Sequence, residues 1–213
     1  MPGQSTQPAP IRPIYVVHGK DAFLQRINLR RIIAHVVRPD PDPMTLSEHD
    51  GETAELAAVL DDVRTLSLLS DRRLVIVRSA DEFVKRHRAA LEKYVASPCR
   101  SGVLTLVVDS WPRTTKLAKA VDQIGMAVAC DPPPAAKLPA WLTTYAQQKH
   151  GRKLDPAAAR KIIDLTGAEL ADLCNEVDKL AIYVGPAPAI LAADVDALVG
   201  QHQIGRASCR ERV

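Results

Sequence analysis

Apolar residues recur at three- and four-residue spacing at Leu56, Val59, Leu60, Val63 and Leu66, which predicts an amphipathic helix with that stripe against a core. Leu68 and Leu69 fall off the stripe. A helix running on at about 100° per residue would point both of them well over 90° from the stripe's centre, toward solvent. If the helix instead stops at Ser67, the two leucines fold back under the strand that follows. The pattern alone favours this second reading, because apolar residues at element ends usually belong to the core.

The chain around this stretch alternates between two periods. Residues 14–17 are a short β-branched and aromatic run, and 22–37 carry Phe23, Leu24, Ile27, Ile32, Ile33 and Val36 at helical spacing. Prolines at alternate positions from Pro39 to Pro43 predict a loop. The unbroken runs 74–77 and 103–108 read as strands buried on both faces, as in a parallel sheet, with Arg72 and Arg73 as solvated charges at the mouth of the first. A helix with Phe83, Leu91 and Tyr94 lies between them, and a short helix at 116–124 and a short strand at 126–130 follow. Alternation of this kind predicts a mostly parallel, doubly wound α/β sheet.

Pro132, Pro133 and Pro134 mark the expected boundary, beyond which every segment reads as helix. Residues 138–149 place Trp141, Leu142 and Tyr145 on one face. Asp155 and Pro156 supply an N-cap and a first helical residue, with Ile162, Ile163 and Leu165 inward and Gly167 as the stop. Leu170, Leu173, Cys174, Val177, Leu180 and Ala181 form a strong stripe, and Ile190, Leu191, Val195, Leu198 and Val199 belong to a last short helix. The expected organisation is a leader at 1–12, an α/β domain at 13–134, a small all-α bundle at 135–203 and a tail at 204–213.

Composition narrows the function classes. At 213 residues, 46% hydrophobic and 25% charged, the chain can bury a substantial core. Without its last ten residues the net charge of +3 falls to +1, with 25 basic and 24 acidic side chains. A sequence pI of about 8.7 is thus weak support for nucleic-acid binding. Cys99, Cys130, Cys174 and Cys209 are far apart, with neither Cys-x-x-Cys nor a nearby His, so reduced thiols in a cytoplasmic protein are expected and no metal is called for. The leader MPGQSTQPAP has no basic start and no apolar core, which argues against a secretory signal. The most apolar long stretch, 181–199, is cut by Gly185, Pro186 and Pro188 and carries Asp194 and Asp196, so no membrane association is expected.

Two places invite a chemical reading. Strand, glycine turn and helix at Gly19, Lys20 and Asp21 is the order in which phosphate-cradling loops occur. A working loop needs a second glycine before Lys-Ser/Thr; here Lys20 directly follows Gly19, and Asp21 repels phosphate unless it caps the helix. Asp109 ends a hydrophobic strand, as the magnesium-holding acid of P-loop ATPases does. Ser110 and Trp111 follow it with no glutamate to activate water, so an end-of-strand cap is the plainer role.

Taken together, YVVHGKDAFL at 15–24, SLLSDRRLVIV at 67–77, the passage from Pro132 to Leu142 and NEVDKLAIYV at 175–184 are similar to the delta subunit of the bacterial DNA polymerase III clamp loader. The resemblance spans nearly all of residues 14–200. It implies an α/β domain of degenerate AAA+ (P-loop NTPase-like) type that has lost its ATP site, followed by a small all-α lid. It also implies that Ser67, Leu68 and Leu69 form the wedge that enters a pocket on the sliding clamp, with Leu69 where the family carries an aromatic. The implied partners are the sliding clamp (beta), the tau/gamma and delta prime subunits, and DNA only through the assembly.

The family's collar domain finds no counterpart, and residues 204–213 look like translated sequencing adapter, so a gene fragment is expected. The function implied is to bind and help open the clamp during replication, without cofactor or chemistry of its own, the polymerase activity belonging to the whole assembly. The alternatives are an active ATPase of the same fold, which requires Gly19 and Lys20 to hold nucleotide, and a DNA-binding module, which the near-neutral charge disfavours.

Overall fold

The computed structural model describes residues 10–37, 45–65 and 72–198. Expectations for the proline loop at 39–43, for the helix end with Leu66, Ser67, Leu68 and Leu69, and for the tail at 204–213 lie outside the described residues. The contacts divide the chain into two compact units between Asp131 and Pro132.

The first unit is built on five strands: β1 (Ile14–His18), β2 (Leu46–Asp50), β3 (Arg73–Arg78), β4 (Gly102–Val108) and β5 (Met126–Ala129), in the order β2-β3-β4-β1-β5, all parallel. Between them run helices α1 (Ala22–Val36), α2 (Leu56–Arg64), α3 (Asp81–Ala96) and α4 (Lys116–Ile124). The expected α/β class with a parallel sheet is found. Alternate strand residues Ile14, Val16, Val75, Val77, Leu104 and Leu106 join Val59, Val63, Phe83, Leu91, Leu117 and Val121 of α2, α3 and α4 in one core. The intervening positions Tyr15, Val17, Leu74, Ile76, Val103 and Val107 are also buried, and α1 packs on β1 and β3 with Leu24, Leu29, Ile32 and Val36. Burial on both faces is why these strands are uninterrupted apolar runs in the sequence.

Strand β2 has no counterpart in the sequence reading. LSEHD offers one large apolar residue, and its edge position leaves Glu48 and Asp50 exposed. Parallel pairing with β3 and side-chain bonds hold it: Arg78 reaches the Glu48 carboxylate, and Arg73 donates to Ser47 Oγ at 2.7 Å.

Of the predicted stripe on α2, Val59 and Val63 are fully buried while Leu56 and Leu60 are half-buried. The last turn of α2 lies directly on the start of β4. A Cβ built on Gly102 would stand 1.9 Å from the Val63 carbonyl oxygen, so only glycine admits the approach.

The second unit contains α5 (Leu138–His150), α6 (Pro156–Thr166), α7 (Leu170–Tyr183) and a helical stretch at 192–198. Asp155 caps α6 by accepting from the Ala157 amide at 2.8 Å, with Pro156 at the first helical position. The six predicted stripe residues of α7 are all buried. One departure from an all-helical unit is the two-residue parallel pair of β6 (Lys153–Leu154) and β7 (Ala189–Ile190), too short to leave a period-2 signal.

A polar knot joins α5 to α7. The Asp178 carboxylate accepts from Lys149 Nζ at 2.6 Å, His150 Nε2 at 2.7 Å and Tyr145 Oη at 3.1 Å, and Trp141 stacks on the Tyr145 ring. Burial pushes the Asp178 carboxyl up, but the bonds from Lys149 and His150 outweigh it and hold the group below the usual carboxylate range.

Two outcomes follow from this packing. Gly102→Ala forces the α2 backbone off β4 and should cost about 2 to 3 kcal/mol in chemical denaturation, the scale of an overpacked core site; an unchanged midpoint would mean that the contact is slack. A carboxyl with a depressed folded pKa stabilises above its unfolded value of about 3.9 and loses that contribution as pH falls through the folded value. Asp178→Asn should therefore lower the stability of the helical unit by about 1 to 2 kcal/mol at neutral pH. The deficit should shrink below about pH 4, followed by Trp141 fluorescence during denaturation.

Candidate functional site

The β1–α1 turn carries Gly19, Lys20 and Asp21. Gly19 adopts φ +125°, and a Cβ there would fall 2.5 Å from the Cys130 carbonyl carbon, so the turn is pressed against the chain leaving β5. Its amides are used internally. The Gly19 amide donates to the Val108 carbonyl at 3.1 Å, and the Asp21 amide donates to the Cys130 carbonyl at 3.3 Å. The Asp21 carboxylate, at the N-cap of α1, accepts from the Leu24 amide at 2.8 Å. Gln25 Nε2 closes the turn on the Gly19 carbonyl at 2.6 Å. Lys20 is exposed.

A phosphate at this helix end would need the donors that Asp21 and the neighbouring strand ends already engage. Just before the turn, burial lowers the His18 pKa; Asp131 acts against it and Arg113 with it. Asp109, expected to cap its strand, has an exposed side chain. The cap comes from Asp81 on α3, whose carboxylate accepts from the Asp109 amide at 2.9 Å and the Ser110 amide at 3.2 Å.

The second candidate is the connection from α2 to β3, which contains Ser67, Leu68 and Leu69. These three lie outside the described residues, and what the structure shows is how the connection is held at both ends. Thr65 closes α2: its amide and Oγ1 both donate to the Asp61 carbonyl, at 2.9 and 2.8 Å. Asp62, one turn before the helix end, takes His49 Nε2 of β2 at 2.7 Å on one oxygen and the Arg73 guanidinium of β3 at 2.9 Å on the other.

Arg73 is therefore not the solvated charge expected at the strand mouth. Its side chain is 15% exposed and ties β3 to α2 and β2 together. With Val63 seated on Gly102, the helix end and the strand start are anchored to the same corner of the sheet. Sequence reading had no signal for Asp62, His49 or Gly102, whose partners are distant in sequence. The partial signal was the paired Arg72-Arg73 just before a buried run, where one arginine of the two must turn inward or be capped.

Among the described residues, no group of three or more His, Cys, Asp or Glu is placed to hold a metal ion, and no helix is long and apolar enough to cross a membrane.

Three comparisons with known proteins bear on this arrangement. The profile of a family described as "DNA polymerase III, delta subunit" matches residues 15–131. A curated relative, DNA polymerase III subunit delta of Bacillus subtilis (strain 168), is 24% identical over 208 residues, covering 93% of this chain and 60% of the relative. Among solved structures, the Bacillus subtilis DNA clamp loader delta protein superimposes with a TM-score of 0.78 at 26% identity, over 89% of this chain and 58% of that one. The chain thus spans about three fifths of the length of the relatives it matches.

Proposed function

The chain belongs to the DNA polymerase III delta subunit family, and on that footing we propose that it binds the sliding clamp and helps to open it, through Ser67, Leu68 and Leu69. The observation that carries this reading is the corner just described. The connection bearing these residues departs from a helix end and returns to a strand joined by the Asp62–Arg73 pair, with that helix end seated on Gly102 of the neighbouring strand. A segment whose ends are pre-placed loses less conformational entropy on docking, which raises the affinity obtained from a small apolar contact. Burying two leucine side chains contributes about 1.5 to 3 kcal/mol each before those costs, enough for an anchor within a wider interface.

In this reading the tau/gamma and delta prime subunits are partners through the assembly, DNA is met only there, and the polymerase chemistry belongs to the assembly. The subunit itself is non-catalytic. The engaged amides at Gly19, Asp21 and Leu24, together with the missing second glycine and Lys-Ser/Thr pair, support a turn that does not take nucleotide.

Replacing Leu68 and Leu69 together with alanine should weaken clamp binding more than roughly tenfold, the behaviour of a hot spot. It should leave unfolding free energy within about 0.5 kcal/mol of wild type. Val59→Ala, on the fully buried side of α2, should instead cost roughly 1.5 to 3 kcal/mol and alter clamp binding only through unfolding. The half-buried Leu60 is the poorer control. A double variant that loses several kcal/mol of stability would place the leucines in the core and remove them from the interface. Thermal melts with Mg-ATP test the second part: a ligand of the folded state at a hundredfold excess over Kd would add about 2.7 kcal/mol, and no shift is expected.

A further inference from the structure

The last turns of α2 and α3 border an open cleft of about 560 Å³, which the clamp reading leaves without a role. Leu60 and Arg64 line it from α2, Lys93 and Tyr94 from α3, and Cys99 from the loop before β4. No acidic side chain is among the described residues lining it. Arg64 and Lys93 are exposed, and Arg64 pairs loosely with Asp61 at 3.9 Å. Tyr94 is 6% exposed, with its ring in the lining and its hydroxyl buried beside the Cys99 backbone.

Cys99 is a free, half-buried thiol with Sγ 3.2 Å from Ser101 Oγ. Burial pushes this thiol up, but hydrogen bonds from Ser101 and the Gly102 backbone, with the Arg64 charge nearby, bring it below its ordinary value. Burial instead pushes the Cys130 thiol up, and both Cys130 and Cys174 are fully buried.

We propose that Cys99 is a site of reversible mixed-disulfide formation with a small anionic disulfide, seated in this cleft by Arg64 and Lys93. The Cys99 thiolate attacks one sulfur of the incoming disulfide. A new S–S bond forms, the old one breaks, and the departing half leaves as a thiolate that takes up the proton Cys99 gave to solvent. Cys99 is oxidised, the released half is reduced, the retained half keeps its oxidation state, and excess thiol reverses the step. The cationic lining selects anionic disulfides and stabilises the attacking thiolate.

The test treats the full chain, native or unfolded in urea, with glutathione disulfide (anionic) or cystamine (cationic) and maps adducts by peptide mass spectrometry. In the native chain Cys99 should be modified first among the described thiols, with Cys130 and Cys174 silent and the Cys209 peptide mapped separately. The preference for glutathione disulfide over cystamine should exceed that of the unfolded chain by about tenfold. The Arg64→Gln/Lys93→Gln double variant should lose that preference, and Cys99→Ser should remove the fast adduct. Because Arg64 and Lys93 are exposed, the double variant should stay folded by circular dichroism. Independently of any variant, added salt should slow the anionic probe on the wild-type chain. Reaction of Cys99 no faster than in urea, or an anion preference indifferent to salt and to both cations, would overturn the proposal.

Discussion

Every residue of β4 is buried, and this condition orders the first unit. A strand with water on neither face needs partners at both edges and cover on both sides, so β1 and β3 flank it while helices lie above and below. Parallel pairing in turn requires each strand to be followed by a crossover, which places the turns after β1 and β4 at the same end of the sheet. The internal bonding of those turns follows. Val108 at the end of β4 accepts from Gly19, while the Asp109 and Ser110 amides, just past it, are taken by Asp81. At the opposite end of the same strand, Gly102 sets the height at which α2 can sit.

Charge is used sparingly but in defined places. Asp62 receives two donors from two different strands, so one carboxylate fastens a helix to a sheet edge that has little apolar surface with which to fasten itself. Asp178 does the same between α5 and α7 with three donors. In both cases the pairing is partly exposed, where an isolated ion pair contributes little, and its value lies in several donors converging on one acceptor.

The fold class was legible because burial on both faces writes itself into sequence as unbroken apolar runs, at 74–77 and 103–108, and because α7 carries six inward residues at strict helical spacing. The N-cap at Asp155 was readable outright and that at Asp21 as one of two roles, since a cap acts within three residues of itself. What escaped was set by long-range partners. Strand β2 depends on Arg73 and Arg78, roughly thirty residues away, and Arg73 looked like a surface charge because its acceptors, Ser47 and Asp62, lie in other elements. For Leu68 and Leu69, which lie outside the described residues, period alone pointed to the core and the family resemblance to a presented contact. The Cys99 cleft left no trace in the sequence, since its lining comes from two stretches roughly thirty residues apart.

The turn after β1 also bears on how such a chain can change. Gly19 is pinned to Cys130, Asp21 caps α1, and Gln25 closes the turn from behind. Converting it to a phosphate-holding loop would require removing the cap, adding a glycine and a hydroxyl, and releasing the strand-end carbonyls together. Removing the cap or releasing those carbonyls forfeits a bond before anything replaces it. The turn therefore resists piecemeal conversion: the exposed Lys20 can be exchanged without loss of a bond, but its neighbours cannot.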